Sequence, residues 1–207
     1  REVLARVLGV ADVVVENYRV GGFARLGFPD DELERINPRL IHLAISGYGP
    51  TGPDRDRPGY DFIAQAVGGL MSITGGPAEA GGGPTKVGVA ISDVATGLFG
   101  AVSVLAALVG RRRDVSAAAG EVGRDGVAGQ RIDVSLLEST LAILVNQAQN
   151  AFVSGRAPGR RGNAHPNIVP YETFETVDGA IAVAVGSERQ WGRLCTALGL
   201  PALADDP

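Results

Sequence analysis

At 207 residues the chain is long enough for one large domain, or one and a fraction, with a sizeable core. Its 45% hydrophobic and 20% charged composition is that of a soluble globular protein, and a net charge of -4 gives no electrostatic reason to expect nucleic acid or an anionic membrane as partner. Cys195 is the only cysteine, which excludes an intrachain disulfide and a cysteine-based metal cluster, and a cytoplasmic location fits. His42 and His165 lie far apart and supply no metal-ligand spacing, so no metal is expected. The chain opens inside what reads as the tail of a helix and stops at Asp205-Asp206-Pro207 without a closing element. We therefore expect an interior piece of a longer protein.

After that helix and Gly9, Ala11-Asp12-Val13-Val14-Val15-Glu16-Asn17 is a short β-branched run, the rhythm of a parallel sheet. Residues 28–37 read as a short helix closed by Pro38, and 40–46 as the next strand, ended by Gly47-Tyr48-Gly49-Pro50. A polar loop over 51–59 leads to a helix over 61–67. Residues 75–84 read as a flexible loop, 86–91 as a strand and 93–109 as a helix, with Arg111-Arg112-Arg113 at its negative end. The Ala/Gly-rich stretch 113–129 reads as a mobile surface insertion.

Ser135-Leu136-Leu137-Glu138 is a capping box, expected to start a helix running to about Val153. Residues 171–177 and 180–185 flank Asp178-Gly179, a strong hairpin signal. A domain boundary is placed near 155–162, where the texture turns to Arg, Gly, Pro and Asn. The uncharged run from Val94 to Gly110 also meets the lower length limit of a membrane span. Its Ala, Gly, Ser, Thr and Val content suits instead a buried helix pressed between a sheet and a neighbour.

Asp93 stands alone at the head of that run. A carboxylate in the first turn of a helix is near the positive end of the dipole and near free N–H groups, which favours its charged form. It is then either a cap or a nucleophile toward an activated acyl group. Spacing alone favours the cap. Asn17-Tyr18 at a strand end suits a nucleotide or a turn, and Tyr60-Asp61 a cleft or a cap. Gly162-Asn163-Ala164-His165-Pro166 suits a lid or an interdomain loop. Neither Gly21-Gly22 nor Gly81-Gly82-Gly83 matches a phosphate loop.

In order, these blocks resemble the family III CoA-transferases (CaiB/BaiF; relatives of formyl-CoA and carnitine-CoA transferases). The resemblance rests on residues 11–18 with Arg25-Leu26-Gly27-Phe28, then Asn37-Pro38-Arg39-Leu40-Ile41 and Ser46-Gly47-Tyr48-Gly49. Arg57-Pro58-Gly59-Tyr60-Asp61 with Gln65-Ala66, residues 88–97, and residues 162–166 complete it. It implies that Asp93 is the catalytic nucleophile, forming a mixed anhydride and then an aspartyl-CoA thioester. It also implies that Asn17, Tyr18, Arg19 and Arg25 hold the nucleotide part of CoA, and that Pro58, Gly59, Tyr60 and Asp61 line the CoA channel. Gly162, Asn163, Ala164 and His165 would form a lid, although the formyl-CoA branch has a run of glycines there.

The expectation is thus an α/β fold. Residues 1–155 would be part of a large, mostly parallel, Rossmann-like CoA-binding domain, with 156–207 a linker and the start of a smaller α+β domain. By the same resemblance, the function is CoA transfer from an acyl-CoA to a small carboxylic acid. No tightly bound cofactor is expected, since CoA is a substrate, and the partner is a second, intertwined copy. The alternatives are an acyl-CoA racemase, whose site has histidine where Tyr60 stands, and a non-catalytic CoA-binding module. A succinyl-CoA donor with a small dicarboxylate or hydroxy-acid acceptor is the substrate expectation.

Overall fold

The computed structural model describes residues 1–117 and 128–205. Its elements run α1 Glu2–Leu8, β1 Val13–Glu16, α2 Gly22–Arg25, α3 Asp30–Ile36, β2 Ile41–Ser46, α4 Asp61–Val67, α5 Leu70–Ile73 and α6 Ile91–Ala117. After these come β3 Gln130–Ser135, α7 Leu136–Ala142, α8 Val145–Ser154, β4 Tyr171–Thr176, β5 Gly179–Ala184 and α9 Glu188–Ala197. They group into two units, Arg1–Met71 with Lys86–Ala148, and Ser72–Thr85 with Gln149–Pro207.

The first unit is built on a parallel sheet in the order β1-β2-β3. Ile41, His42, Leu43 and Ala44 of the central strand are all buried, as expected of a strand covered on both faces. Side chains alternate across it. On the face of Val14 and His42, a core of Leu8, Phe23, Phe28, Leu33 and Leu40 gathers the first three helices. On the face of Leu43 lies α6, flanked by α4 and α7.

Helix α6 is sorted by size. Ser92, Ala95, Thr96, Gly100 and Ala107 are buried. A Cβ on Gly100 would stand 3.0 Å from the Leu43 side chain, so the missing side chain sets how closely helix and sheet approach. Val94, Leu98, Val102 and Leu105 point the other way and are 50–64% exposed. Burial is one-sided in this chain: 22% of the helix's most apolar stretch is buried. By length and hydropathy alone, Ile91–Arg111 passes the test for a membrane span.

Several expected boundaries move. Residues 86–90 form no strand, because the Val87 N–H is given to Gln65 Oε1 at 2.8 Å and not to a neighbouring strand. Helix α6 starts earlier, at Ile91, and continues past Arg111-Arg112-Arg113 to Ala117, arginine being a good helix former. Arg111 does not cap that end; it donates to the Arg39 carbonyl at 2.9 Å and pairs with Asp12. Of the stretch expected to be an insertion, residues 118–127 lie outside the described residues. Gly129 already packs against the Leu40 backbone on the way into β3. The Ser135 hydroxyl accepts the Glu138 N–H at 3.2 Å and donates to the Glu138 carboxylate at 2.7 Å. The helix it opens stops at Ala142, and α8 restarts at Val145, whose φ is +42°.

In the second unit, β4 and β5 pair antiparallel around Val177-Asp178, and Ser187 caps α9, which buries Cys195. Arg160 donates to the Gly76 and Gly82 carbonyls at 3.3 and 3.1 Å, holding residues 72–85 to this unit.

One amide ties the end of α1 and the approach to β1 to the turn that leads into β2. Asn37 Nδ2 donates to the carbonyls of Leu8 and Ala11 at 3.0 and 2.9 Å, and its Oδ1 accepts the Arg39 N–H at 3.1 Å. Replacing Asn37 by Ala leaves two carbonyls and an N–H unmatched, which costs about 1–3 kcal/mol. Denaturant unfolding of Asn37→Ala should show that loss, and Asn37→Asp, which keeps the acceptor alone, should be nearly as unstable. Wild-type midpoints in both would disprove the tie.

Candidate active site

Ligands of parallel α/β sheets sit beyond the carboxyl ends of the strands. A cleft of about 380 Å³ lies there, and its whole lining comes from the first unit. Asn17, Tyr18, Arg19 and Val20 follow β1, and Ser46 and Gly47 end and follow β2. Arg55, Arg57, Pro58, Gly59, Tyr60 and Asp61 come from the loop before α4, and Leu136 and Asp93 from the first turns of α7 and α6.

Two loops meet as backbone on backbone at the cleft. A Cβ on Gly47 would lie 2.5 Å from Gly59 Cα, and one on Gly59 would lie 2.2 Å from Gly47 Cα. Only glycine fits at either place. Arg19 has no ion-pair partner among the described residues, while Arg57 pairs with Asp54 at 3.1 Å and lies over the Tyr48 ring. Three guanidinium groups on one wall suit a phosphorylated ligand.

The start of α6 is held from across the site. Asp61 Oδ1 accepts the Ser92 N–H at 2.8 Å, and Oδ2 accepts from Gln65 Nε2 at 2.8 Å. Gln65, fully buried, accepts in turn from the Val87 N–H. Below them the Ser92 and Thr140 hydroxyls lie 2.8 Å apart, and the Thr96 hydroxyl donates to the Ser92 carbonyl at 2.6 Å. Asp61 therefore caps not its own helix but the one that carries Asp93.

Asp93 is thus left out of the capping hydrogen bonds. The cap is supplied by Asp61, and no described residue donates to the Asp93 carboxylate. Two effects work against the charged form that the helix dipole favours. Asp93 is held above the ordinary carboxylate range, first by partial loss of water and then by the negative charge of Asp61.

The cleft thus gathers Asn17, Tyr18, Arg19, Pro58, Gly59, Tyr60, Asp61 and Asp93. Arg25 is not in the lining; its Nη1 donates to the Val20 carbonyl at 3.3 Å, behind the wall. Gly162, Asn163, Ala164 and His165 belong to the second unit. There Gly162 has φ +61° and donates its N–H to the Gly75 carbonyl, Asn163 donates to the Thr173 hydroxyl, and His165 donates its N–H to the Tyr171 carbonyl. Sequence reasoning did not assign Arg55, Ser46 or Leu136 to the site, nor the Gln65–Ser92–Thr140 network beneath it. Ser46, Gly47, Arg57, Gln65, Ser92 and Leu136 stood inside motifs already singled out. Arg55 and Thr140 carried no local signal, because the fold alone brings them to the site.

The description CoA-transferase family III matches residues 1–207, and the chain belongs to that family. It is 45% identical over 201 residues to the succinate–glutarate CoA-transferase of Agrobacterium fabrum, covering 97% of this chain and 46% of that protein. To the acetyl-CoA:oxalate CoA-transferase of Acetobacter aceti it is 38% identical, covering 100% of this chain and 50% of the relative. Among solved structures, it is similar to a CaiB/BaiF family protein from Brucella suis, with TM-score 0.77 and 42% identity over 99% of this chain and 50% of that one. The chain spans about half the length of these relatives.

Because Asp61 helps raise the affinity of Asp93 for its proton, removing that charge must lower it. In Asp61→Asn the side-chain oxygen still accepts from Ser92. A carboxyl-carbon NMR titration of Asp93 should shift to lower pH in this variant. An unmoved midpoint would mean that the two carboxylates do not interact.

Proposed function

We propose that the full-length protein moves coenzyme A from an acyl-CoA to a carboxylic acid, with Asp93 as nucleophile. The observation that carries this is the free carboxylate of Asp93 in a cleft lined by Arg19, Arg55 and Arg57. Partial desolvation and a neighbouring negative charge both make a carboxylate more basic and hence more nucleophilic. The names of the Agrobacterium and Acetobacter relatives, both CoA-transferases, support the same class.

The steps balance without any other reagent. An Asp93 oxygen attacks the thioester carbonyl, the C–S bond breaks, and a mixed anhydride and CoA thiolate result. The thiolate attacks the aspartyl carbon of that anhydride, releasing the donor carboxylate and leaving an aspartyl-CoA thioester. The acceptor carboxylate then attacks the thioester carbon and expels the thiolate. Attack of the thiolate on the acceptor carbon gives the new acyl-CoA and restores Asp93. Holding the thiolate beside the anhydride makes the return step effectively intramolecular, worth about 7–11 kcal/mol of barrier.

Asn17, Tyr18 and Arg19 at the end of β1 are assigned to the nucleotide part of CoA, with the Arg55 and Arg57 side chains on its phosphates. Pro58, Gly59 and Tyr60 are assigned to the pantetheine path toward Asp93. Arg25, which donates to the Val20 carbonyl beside the lining, is assigned to the nucleotide part as well. Gly162, Asn163, Ala164 and His165 are assigned to a water-excluding lid, which anhydride and thioester intermediates require. Small dicarboxylic acids, succinate among them, are the acids we assign to donor and acceptor, by likeness to the succinate–glutarate relative.

Incubating the full-length protein with succinyl-CoA should add the mass of CoA, less water, to the peptide containing Asp93. Asp93→Asn should show no adduct and lose turnover by at least about a thousandfold, yet still bind CoA. Full turnover in that variant would remove Asp93 from the mechanism. Exchange of a substrate α-proton without an adduct would favour racemase chemistry.

The exposed side of α6 points to a second chain. Each large apolar side chain fully withdrawn from water contributes about 1.5–3 kcal/mol, so a row including Leu98, Val102 and Leu105 rewards a partner strongly. We assign that partner to a second copy, intertwined with the first. In the full-length protein, Leu98→Glu should leave monomer or aggregate in light scattering. An intact dimer would exclude this side of α6 from the interface.

A further inference from the structure

His42 lies in the middle of the sheet, buried, and neither ring nitrogen has a hydrogen-bond partner among the described residues. Both nevertheless face a carboxylate. Nε2 stands 3.8 Å from Glu16 Oε1 on β1, and Nδ1 stands 3.7 Å from Asp30 Oδ1 on α3. The Phe23 ring of α2 leans on the imidazole at 5.5 Å. Arg131, paired with His42 in register on β3, binds Asp30 and Asp133, which completes the charged groups around the ring.

A neutral imidazole has one N–H and one lone pair, so it can serve only one of two flanking carboxylates. Its lone pair then meets the other with like charge toward like, and both acids stand off beyond hydrogen-bond distance. An imidazolium would donate to both. Ion pairs of that kind close to about 2.7–2.9 Å, roughly 1 Å nearer than the present spacing. The arrangement is that of a proton site awaiting its proton. Burial first, and Arg131 second, keep the ring neutral by lowering its pKa below the ordinary histidine value.

Glu16 leads from this site to the cleft. Its second oxygen, Oε2, accepts the Tyr18 N–H at 2.6 Å, which fixes the turn carrying Asn17, Tyr18 and Arg19. Phe23 adds a second link, tilted against His42 and stacked on the Tyr18 ring. We propose that His42 is a proton-coupled positioning residue: protonation draws Glu16 toward the ring, loosens the Tyr18 turn and weakens CoA binding. The proposal rests on the CoA assignment above. It adds that the wall of the cleft is set by a titrating group that never touches the ligand.

Reciprocity supplies the test, since a proton that weakens CoA binding must itself be weakened by CoA. With only two histidines in the sequence, imidazole NMR of the full chain gives two titrations, and His165→Gln identifies which belongs to His42. Saturating CoA should lower the His42 midpoint. Calorimetry should show CoA affinity falling about fivefold as pH is taken down through that midpoint. In Glu16→Gln, which keeps an acceptor for Tyr18 but no charge for the imidazolium, both effects should vanish, while a purely structural role would leave them in place. A His42 midpoint that CoA does not move, with CoA bound, overturns this proposal alone. Failure to bind CoA at any pH overturns it together with the functional assignment.

Discussion

The carboxylate of Asp61 is the pin on which the site turns. One oxygen takes the Ser92 N–H and the other the Gln65 amide, so α4 and α6 are joined at their N-terminal ends through a single side chain. Three consequences share that cause. The first turn of α6 is capped without Asp93, Asp93 is left with a carboxylate that no described residue donates to, and the nearby negative charge raises its affinity for a proton. A hydrogen bond to a charged group contributes about 1.5–3 kcal/mol, and here two such bonds are spent on orientation. The buried Ser92–Thr140 hydroxyl pair then ties the same turn to α7.

The sheet explains why a site forms at this end at all. Three parallel strands bring Asn17, Gly47 and Leu136 to one edge, although they come from distant parts of the chain. Residues at or after each strand end line the cleft together with the arginine-rich loop before α4. The same lining holds three arginines, Arg19, Arg55 and Arg57, and two acids, Asp61 and Asp93. The second unit contributes its own hairpin and capped helix, with the 72–85 segment bound in by Arg160.

What could be read from the residues was what local chemistry dictates. β2, α4 and the capping serine at 135 announce themselves by burial pattern, helical spacing and box residues, and they stand close to where they were expected. Residues 86–90 deceived because Val87-Gly88-Val89 has strand composition but no strand to pair with; Gln65, twenty-two residues earlier, takes the Val87 N–H. At Asp93, partial burial and the charge of Asp61 work against the helix dipole. Whether a helix start stabilises an acid depends on which acid arrives first, and Asp61 comes from another helix. The apolar run over 94–110 was correctly read as a helix close to a sheet. Yet composition does not show that its small residues face inward and its large ones outward.

The contact between Gly47 and Gly59 carries a consequence for how such a protein changes over time. Where two main chains touch, no side chain can be introduced from either side without prying the cleft apart, so that floor is closed to variation. A lineage built on this scaffold would be expected to diversify elsewhere in the lining, where a change of one residue does not disturb the contact between the two glycines.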